Sequence, residues 1–258
     1  YLGMGDVVKN FEQDLENFID NSEYKCVCVN SGTAALHLAI MSVTNPGDEV
    51  LVPSLTYVAS FQAITAAGCV PVACDVLENN LLINLDDAKN KINDKTKVIL
   101  PVHYASNTSN LNEIYSFANT YNLRVIEDAA HAFGCVENNK KIGGQGDIIC
   151  FSFDGIKNIT SGVGGAIFSN DSKVISKCMD SRLLGVIKDS ESRYKGIRSW
   201  EFDVLDQGYR YHMSNIFAAI GVVQLKRFVD ESLGSLHDWS HAGRYGNRLS
   251  INGTFKPY

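Results

Sequence analysis

Two hydrophobic patterns alternate along this chain. Short apolar runs rich in β-branched residues are typical of buried strands, and longer segments repeat their apolar residues at helical spacing. The strands predicted in this way cover residues 25–29, 49–52, 70–75, 97–102, 123–127, 147–153 and 165–169. The predicted helices cover residues 7–19, 34–43, 56–67, 111–121, 172–184 and 214–227. Because strands and helices alternate, the pattern favours an α/β fold with a mainly parallel sheet.

The periodicity weakens in two places. Residues 185–208 mix charged and aromatic side chains without a clear period, which predicts an extended excursion. The pattern fades again after Phe228, so we predict a large domain over residues 1–228 and the start of a truncated or divergent small domain over residues 229–258. Since the chain begins at Tyr1 instead of a methionine, we also expect its beginning to be missing.

Composition and charge exclude several classes of protein. The 258 residues are 45% hydrophobic and 20% charged, which is ordinary for a globular protein with a substantial core. A net charge of −6 argues against a nucleic-acid surface. We find neither a secretory signal nor the apolar stretch of about 18 residues needed to cross a bilayer, so we expect a cytoplasmic protein that does not bind membranes.

The seven cysteines indicate a reducing compartment. None belongs to a Cys-x-x-Cys pair, and most lie in strand-like apolar runs. Buried, reduced thiols explain this arrangement better than zinc ligands or disulfides do.

The segment from Phe151 to Gly165 contains the first chemical signal. A predicted buried strand ends in a loop of small residues, and that loop contains a single lysine, Lys157. A lysine at such a junction is costly, because desolvation disfavours the charged ammonium. A Schiff base with an aldehyde cofactor removes the charge and would give the lysine a function. Since a lone lysine is more often a surface charge, the other contacts of the cofactor must come from elsewhere in the chain.

A strand, a tight turn and a helix follow one another around Ser31. The backbone N–H groups of Ser31, Gly32 and Thr33, with two hydroxyls, would present a helix N-terminus that favours an anion such as phosphate. An ordinary N-cap by Ser31 or Thr33 explains the same residues equally well.

Glu127, Asp128 and His131 lie at the end of another predicted strand. The carboxyl end of a parallel strand is where α/β proteins place ligand-contacting groups, and a carboxylate there can hold a pyridine nitrogen protonated. Metal binding is one alternative, although the spacing lacks a third well-placed ligand, and capping of the next helix is another. Tyr57, which opens the helix after a different strand, suits either stacking on a planar ring or burial in the core.

Together these segments resemble the DegT/DnrJ/EryC1/StrS family of pyridoxal-phosphate-dependent sugar aminotransferases. The resemblance covers residues 1–228, and its motifs follow the family's order. They are Asn30-Ser-Gly-Thr-Ala-Ala-Leu36, Val52-Pro-Ser-Leu-Thr-Tyr57, Pro101-Val-His-Tyr104, Ile126-Glu-Asp-Ala-Ala-His-Ala132, Ser152-Phe-Asp-Gly-Ile-Lys-Asn158 and Gly208-Tyr-Arg-Tyr-His-Met-Ser-Asn-Ile216. Any one motif is weakly specific, whereas all of them in order are strongly so. The resemblance implies the aspartate-aminotransferase fold, called fold type I, which has three αβα layers around a mainly parallel sheet. The cofactor that it implies is pyridoxal 5'-phosphate.

The resemblance also implies a role for each matching residue. Lys157 matches the lysine that forms the Schiff base and then moves the proton between substrate and cofactor, and Asp128 matches the partner of the pyridine nitrogen. His131 stands where the family has a residue near the ring hydroxyl, and Tyr57 stands where an aromatic stacks on the ring. The residues that match the phosphate cradle are Gly32, Thr33, Ala34 and Ser152.

Three departures from the family pattern are visible. In the family, a glycine-rich segment reaches across a homodimer to the neighbour's phosphate, and the resemblance therefore implies a homodimer with a shared active site. Arg210 replaces the usual asparagine of that segment and His212 the usual arginine, although an arginine still suits phosphate as a bidentate donor. Val163 stands where a glutamate is common. We expect the C-terminal region that completes the family's small domain and part of its substrate cleft to be truncated here.

The implied reaction is the transfer of an amino group from L-glutamate to a nucleotide-linked keto-deoxysugar. Its product would be used for surface polysaccharides such as O-antigens, or for glycosylated metabolites. A sugar 3-dehydratase of the same family is the nearest alternative, but a histidine replaces the lysine in those enzymes, so Lys157 favours transamination. A non-catalytic regulatory protein with this fold is a further alternative. A Rossmann oxidoreductase is disfavoured, because no predicted strand is followed by a Gly-x-Gly-x-x-Gly turn.

Overall fold

The computed structural model of the protein describes residues 2–189 and 202–234. The helices are α1 (Asp6–Ile19), α2 (Gly32–Val43), α3 (Val58–Ala66), α4 (Leu85–Lys91), α5 (Leu111–Tyr121), α6 (Ser172–Ser181) and α7 (Asn215–Gly234). The strands are β1 (Lys25–Val29), β2 (Glu49–Pro53), β3 (Val70–Cys74), β4 (Thr96–Ile99), β5 (Arg124–Asp128), β6 (Val136–Glu137), β7 (Lys140–Lys141), β8 (Ile148–Ser152) and β9 (Gly165–Ser169). A single 3₁₀ turn covers Tyr104–Ser106.

One seven-stranded sheet organises the described residues, in the order β1-β9-β8-β5-β4-β2-β3. Strand β9 runs antiparallel to both of its neighbours, and every other adjacent pair is parallel. The predicted mainly parallel α/β sheet is therefore confirmed. Because only β9 is reversed, the carboxyl ends of the other six strands lie at one edge of the sheet, together with the start of β9.

Helices cover both faces of this sheet, as the alternation of side chains along its strands requires. In β8, Ile148 and Cys150 pack with apolar residues of α2, α3 and α6. Ile149 and Phe151 face the other side, where α1 and α7 pack. Helices α4 and α5 cover the same side further along, over β2, β4 and β5. The three-layer αβα arrangement expected from the family resemblance is thus confirmed.

The predicted elements differ from the structure where the sequence pattern is weak or where tertiary contacts set the end of an element. Helix α4 was not predicted, because it is short and buries only Ala88. The two-residue strands β6 and β7 leave no periodic pattern either. The predicted helix over residues 172–184 is wrong at its end: α6 stops at Ser181, and the next residues bond to residues 209–211. The last helix is longer than predicted, since α7 continues to Gly234.

The two ends of the predicted excursion over residues 185–208 lie side by side and pair with each other. The N–H of Ile187 donates to the carbonyl of Asp203, and Val186 pairs with Val204. Residues 190–201 and most of the predicted small-domain segment, from residue 235 onward, lie outside the described residues.

All seven cysteines lie in the described part of the chain and are free thiols; six are buried and Cys135 is half-buried. The prediction that these thiols are buried is confirmed for six of the seven. Burial raises the pKa of Cys74 to about 11 and that of Cys178 to about 12, so these thiols stay protonated. No helix within the described residues is long and apolar enough to cross a membrane.

Candidate active site

Most of the predicted site residues lie at the carboxyl edge of the sheet. Asp128 is the last residue of β5, and Ser152 is the last residue of β8. The turn before α2 follows β1, and Tyr57 precedes α3 after β2. This edge is where parallel α/β sheets bind their ligands, because the loops that leave the strands leave a crevice there.

The N-terminus of α2 has free backbone donors at this edge. The Ser31 hydroxyl accepts the N–H of Ala34 at 3.0 Å, so the predicted N-cap exists. The N–H of Ala35 donates to the Ser31 carbonyl. These bonds leave the N–H groups of Gly32 and Thr33 without an acceptor among the described residues. The cap and the anion site are therefore compatible, since the helix dipole and two free donors favour negative charge at this point.

Close packing places Ser152 directly against this helix end. A Cβ atom added to Gly32 would lie 2.8 Å from the Cβ of Ser152, and one added to Gly165 would lie 2.5 Å from the Ser31 carbonyl oxygen. Any side chain at either position would push the turn away from the strand ends. Gly165 was not predicted as a site residue; the run of glycines before β9 was the signal for it.

Asp128 is held as a buried acceptor. Its side chain is 6% exposed, and its Oδ1 accepts the N–H of Ala130 at 3.2 Å. Its Oδ2 accepts the Ser60 hydroxyl at 2.8 Å. Both donors hold the carboxyl group in one orientation, in which it can accept a further N–H from a ligand in the crevice. Ser60 is a site residue that sequence reasoning missed, because its helix position gave no polar pattern.

Lys157 and His131 are close enough to Asp128 for their charges to interact. Burial lowers the pKa of the half-buried Lys157 from its usual range, while Asp128 and Asp154 oppose that shift. Burial also lowers the pKa of His131, the charge of Lys157 lowers it further, and Asp128 opposes. The structure therefore brings together the lysine, the acid and the histidine that the sequence singled out.

Tyr57 and Arg210 are both exposed. Tyr57 is 76% exposed at the N-cap of α3, so burial in the core is ruled out as its role. The backbone around Arg210 is anchored within its own chain: Asn30 donates its side-chain amide to the Arg210 carbonyl and its N–H to the Tyr211 carbonyl. Arg210 thus lies beside the turn that leads into α2, although it is distant from it in sequence.

Glu127 takes part in a separate buried network on the opposite face of β5. Its carboxylate bonds to His103 Nε2 at 2.7 Å and accepts the Tyr115 hydroxyl at 2.6 Å. The Tyr115 oxygen in turn accepts the N–H of Asp147 at 2.8 Å. Glu127 and Asp128 therefore face away from each other, and no group of three His, Cys, Asp or Glu residues suited to a metal occurs among the described residues.

The backbone of His103 connects the network around Glu127 to Asp128. Its N–H donates to the Asp128 carbonyl, and the Asp128 N–H donates to the Pro101 carbonyl. These two bonds continue the sheet pairing past the end of β4, so the main chain on both sides of Asp128 is fixed. The motif around His103 was recognised in the sequence, but without a role.

Comparison with known proteins identifies this arrangement. The sequence profile of the DegT/DnrJ/EryC1/StrS aminotransferase family matches residues 1–234. The chain belongs to this family. A GDP-perosamine synthase of Caulobacter vibrioides is 42% identical over 232 residues, which are 87% of this chain and 59% of that protein. The spore coat polysaccharide biosynthesis protein SpsC of Bacillus subtilis is 35% identical over 231 residues, or 89% of this chain and 59% of SpsC.

Solved structures agree with this assignment. The putative sugar aminotransferase Spr1654 from Streptococcus pneumoniae, in its PMP form, superposes with a TM-score of 0.78 at 29% identity, covering 89% of this chain and 61% of that one. The chain thus spans about three fifths of the relatives it matches. Its buried acid, its half-buried lysine and the free donors of α2 fit pyridoxal 5'-phosphate, the cofactor of the family's aminotransferases.

Proposed function

We propose that this chain is the cofactor-binding part of an aminotransferase that moves an amino group from L-glutamate to a nucleotide-linked keto-deoxysugar. The main support is the placement of Lys157 beside Asp128 at the carboxyl edge of the sheet, with its pKa lowered by burial. Family membership and the resemblance to sugar aminotransferases of known structure point the same way. The presence of Lys157 favours transamination over the dehydratase alternative.

Different residues of the crevice would contact different parts of the cofactor. Gly32, Thr33, Ala34 and Ser152 would hold the phosphate, with the free N–H groups of the first two as donors. Asp128 would accept a hydrogen bond from the protonated ring nitrogen. Tyr57 would stack on the ring, and His131 would contact the ring hydroxyl.

Lys157 would both bind the cofactor and move protons. Pyridoxal 5'-phosphate supplies an aldehyde carbon and an electron-accepting ring. A lysine with a lowered pKa has more of its amine in the neutral, nucleophilic form near neutral pH, so Lys157 would be suited to hold the cofactor through its aldehyde. The same Nζ would also hold and return a proton of the substrate, which is the role of a general acid and base.

The substrate and assembly proposals rest on the relatives. The name GDP-perosamine synthase favours a GDP-linked sugar as the acceptor, and the name of SpsC favours a product used in polysaccharide synthesis. We further propose a homodimer in which Arg210 reaches the phosphate of the neighbouring subunit. The exposed position of Arg210 leaves its guanidinium available for that contact.

Absorption spectra test the cofactor proposal. The protein mixed with pyridoxal 5'-phosphate is expected to gain a visible band that survives gel filtration and is lost in Lys157→Ala. Lys9→Ala, at an exposed position of α1, is the matched control and should keep the band. A colourless wild type, or a band that Lys157→Ala retains, would contradict the role of Lys157.

Mass spectrometry tests the reaction. The full-length protein, loaded with cofactor, is incubated with L-glutamate and a panel of GDP-linked and dTDP-linked keto-deoxysugars. We expect one nucleotide sugar to gain an amino group while glutamate becomes 2-oxoglutarate. Conversion of glutamate without amination of any sugar would disprove the sugar acceptor and leave the cofactor proposal standing.

A further inference from the structure

A hydroxyl relay reaches Asp128 from helix α3. Ser60 lies in the first turn of α3 and is fully buried. Its hydroxyl donates to Asp128 Oδ2 at 2.8 Å, which uses its only proton. The Thr56 hydroxyl lies 2.7 Å from the Ser60 oxygen. Since the Ser60 proton is already committed to a carboxylate that can only accept, Thr56 is the donor in this second bond.

The relay leaves Asp128 one orientation. Its Oδ1 is held by the N–H of Ala130 and its Oδ2 by Ser60, so rotation about the Cβ–Cγ bond would break both hydrogen bonds. Thr56 in turn fixes the Ser60 rotamer, and neither Thr56 nor Ser60 carries a charge that would compete with a ligand. The carboxyl group is thereby held in place at a buried position, where a polar group without hydrogen bonds would be costly.

We propose that Ser60 is a positioning residue for the cofactor, acting through Asp128 to keep the ring nitrogen protonated, with Thr56 fixing Ser60. This inference rests on the proposed function, because it needs pyridoxal 5'-phosphate in the crevice. It goes beyond the predicted site, in which Asp128 acts alone.

The alternative is that Ser60 merely ties α3 to β5. The two roles differ in which part of the cofactor they involve. A positioning role requires the ring nitrogen, because Ser60 acts on the cofactor through the hydrogen bond between Asp128 and the ring N–H. A structural role would affect any ligand of the same shape to the same extent.

A cofactor analogue separates these roles. 1-Deazapyridoxal 5'-phosphate has a C–H in place of the ring nitrogen and keeps the aldehyde and the phosphate. Dissociation constants for pyridoxal 5'-phosphate and for this analogue are measured by absorption titration of the wild type and of Ser60→Ala. Thr65→Ala is the matched control, because Thr65 lies exposed on the same helix and its hydroxyl donates to the carbonyl of Gln62 in that helix.

We expect Ser60→Ala to raise the dissociation constant of pyridoxal 5'-phosphate about tenfold, as the loss of a charge-assisted hydrogen bond predicts. The dissociation constant of the analogue should change by less than about twofold. The ¹⁵N resonance of the labelled cofactor should shift toward that of unprotonated pyridine. Thr56→Val, which also serves if Ser60→Ala does not fold, should give a smaller loss that is again confined to the nitrogen-containing cofactor.

Two results would overturn the inference. Equal losses of affinity for both ligands would show a structural role of Ser60, and unchanged affinity for both would show that Ser60 has no role in binding. If the wild type bound neither ligand, the proposed function itself would fail, and this inference with it. If the wild type bound both ligands and Ser60→Ala weakened the binding of both equally, this inference would fail and the proposed function would stand.

Discussion

At the scale of single residues, the crevice combines charged groups that differ in how they are supported. Asp128 receives two donors, whereas Lys157, among the described residues, has the opposing charges of Asp128 and Asp154 to offset its burial. An ammonium that is partly desolvated lowers the stability of the folded state, so catalytic readiness and stability conflict at this position.

Lys157→Met is therefore expected to stabilise the cofactor-free protein at pH 7–8. Because the pKa of Lys157 is lowered on folding from its usual 10.5, the unfolded chain binds the proton more tightly. The cost to the wild type is absent well above pH 10.5, grows as the pH falls through the window between the two pKa values, and is constant below it. Denaturation curves from pH 7 to 11 would show the gap closing at high pH. A gap that persists there would contradict this explanation, and Lys9→Met measures the effect of replacing an exposed lysine.

The buried network around Glu127 leads to a second expectation. Burial and the charge of Glu127 raise the pKa of Tyr115 well above its usual range, so its hydroxyl remains a donor. Tyr115→Phe leaves a carboxylate oxygen and the Asp147 N–H without their partner, which should cost about 2–3 kcal/mol in the free energy of unfolding. Urea denaturation measures it. Tyr121→Phe, at a half-buried position of α5, should change stability by less than about 0.5 kcal/mol; equal effects would argue against the network.

At the scale of elements, the exposed edge of the sheet is closed by side chains. Strand β1 has β9 on one side, and on the other side its backbone bonds to a side chain of α1 and to Arg182, the residue after α6. Glu12 accepts the Cys28 N–H at 2.8 Å, and Arg182 donates to the Cys28 carbonyl at 2.7 Å. Arg182 also pairs with Glu12 at 2.5 Å, fully buried. Charged side chains thus occupy the place of a further strand and prevent edge-to-edge pairing.

Arg182→Leu should accordingly destabilise the protein by about 3–5 kcal/mol, because it removes the buried cation that pairs with the Glu12 carboxylate. The double variant Glu12→Leu, Arg182→Leu removes both charges and should be no less stable than the single variant. Thermal unfolding of the four proteins of the cycle gives the coupling. If the two losses simply add, the ion pair does not couple α1 to Arg182 across β1.

At the scale of the whole molecule, the segment around Arg210 connects distant parts of the chain. It is anchored to Asn30, beside α2, and to residues 181–184 after α6. Its backbone is thus fixed in its own subunit while the Arg210 side chain is exposed. In the proposed homodimer, each site would take Lys157 from one subunit and Arg210 from the other.

Complementation between two variants tests this shared site. Arg210→Ala should weaken cofactor binding about tenfold, as expected for a lost charge-assisted bond to phosphate, and Lys157→Ala should abolish the visible band. After unfolding and refolding together, mixed dimers would contain one site with both native residues. The mixture should then show tight, coloured binding that neither variant shows alone. Binding no better than the average of the two variants would contradict a shared site, and sedimentation first establishes the dimer.

Local pattern predicted much of this fold. Strands β1 and β9 and helix α5 have the predicted bounds, because each has a strong period and ends at turn residues. Lys157, Asp128 and the turn at Ser31 were predicted for a related reason: strand ends followed by small and polar residues are visible in sequence. The resemblance then supplied what periodicity cannot, namely the cofactor that such residues would hold.

The sequence by itself thus determined the alternation of strands and helices and the chemical groups at the strand ends. Only the tertiary structure decided which of those groups meet. The order of the strands brings β5 beside β8 and places α3 over Asp128, which makes Ser60 its partner across 68 residues. Strand alternation turns Glu127 to the other face, toward His103 and Tyr115. Such contacts depend on the packing of separate elements, and no local pattern of side chains records them.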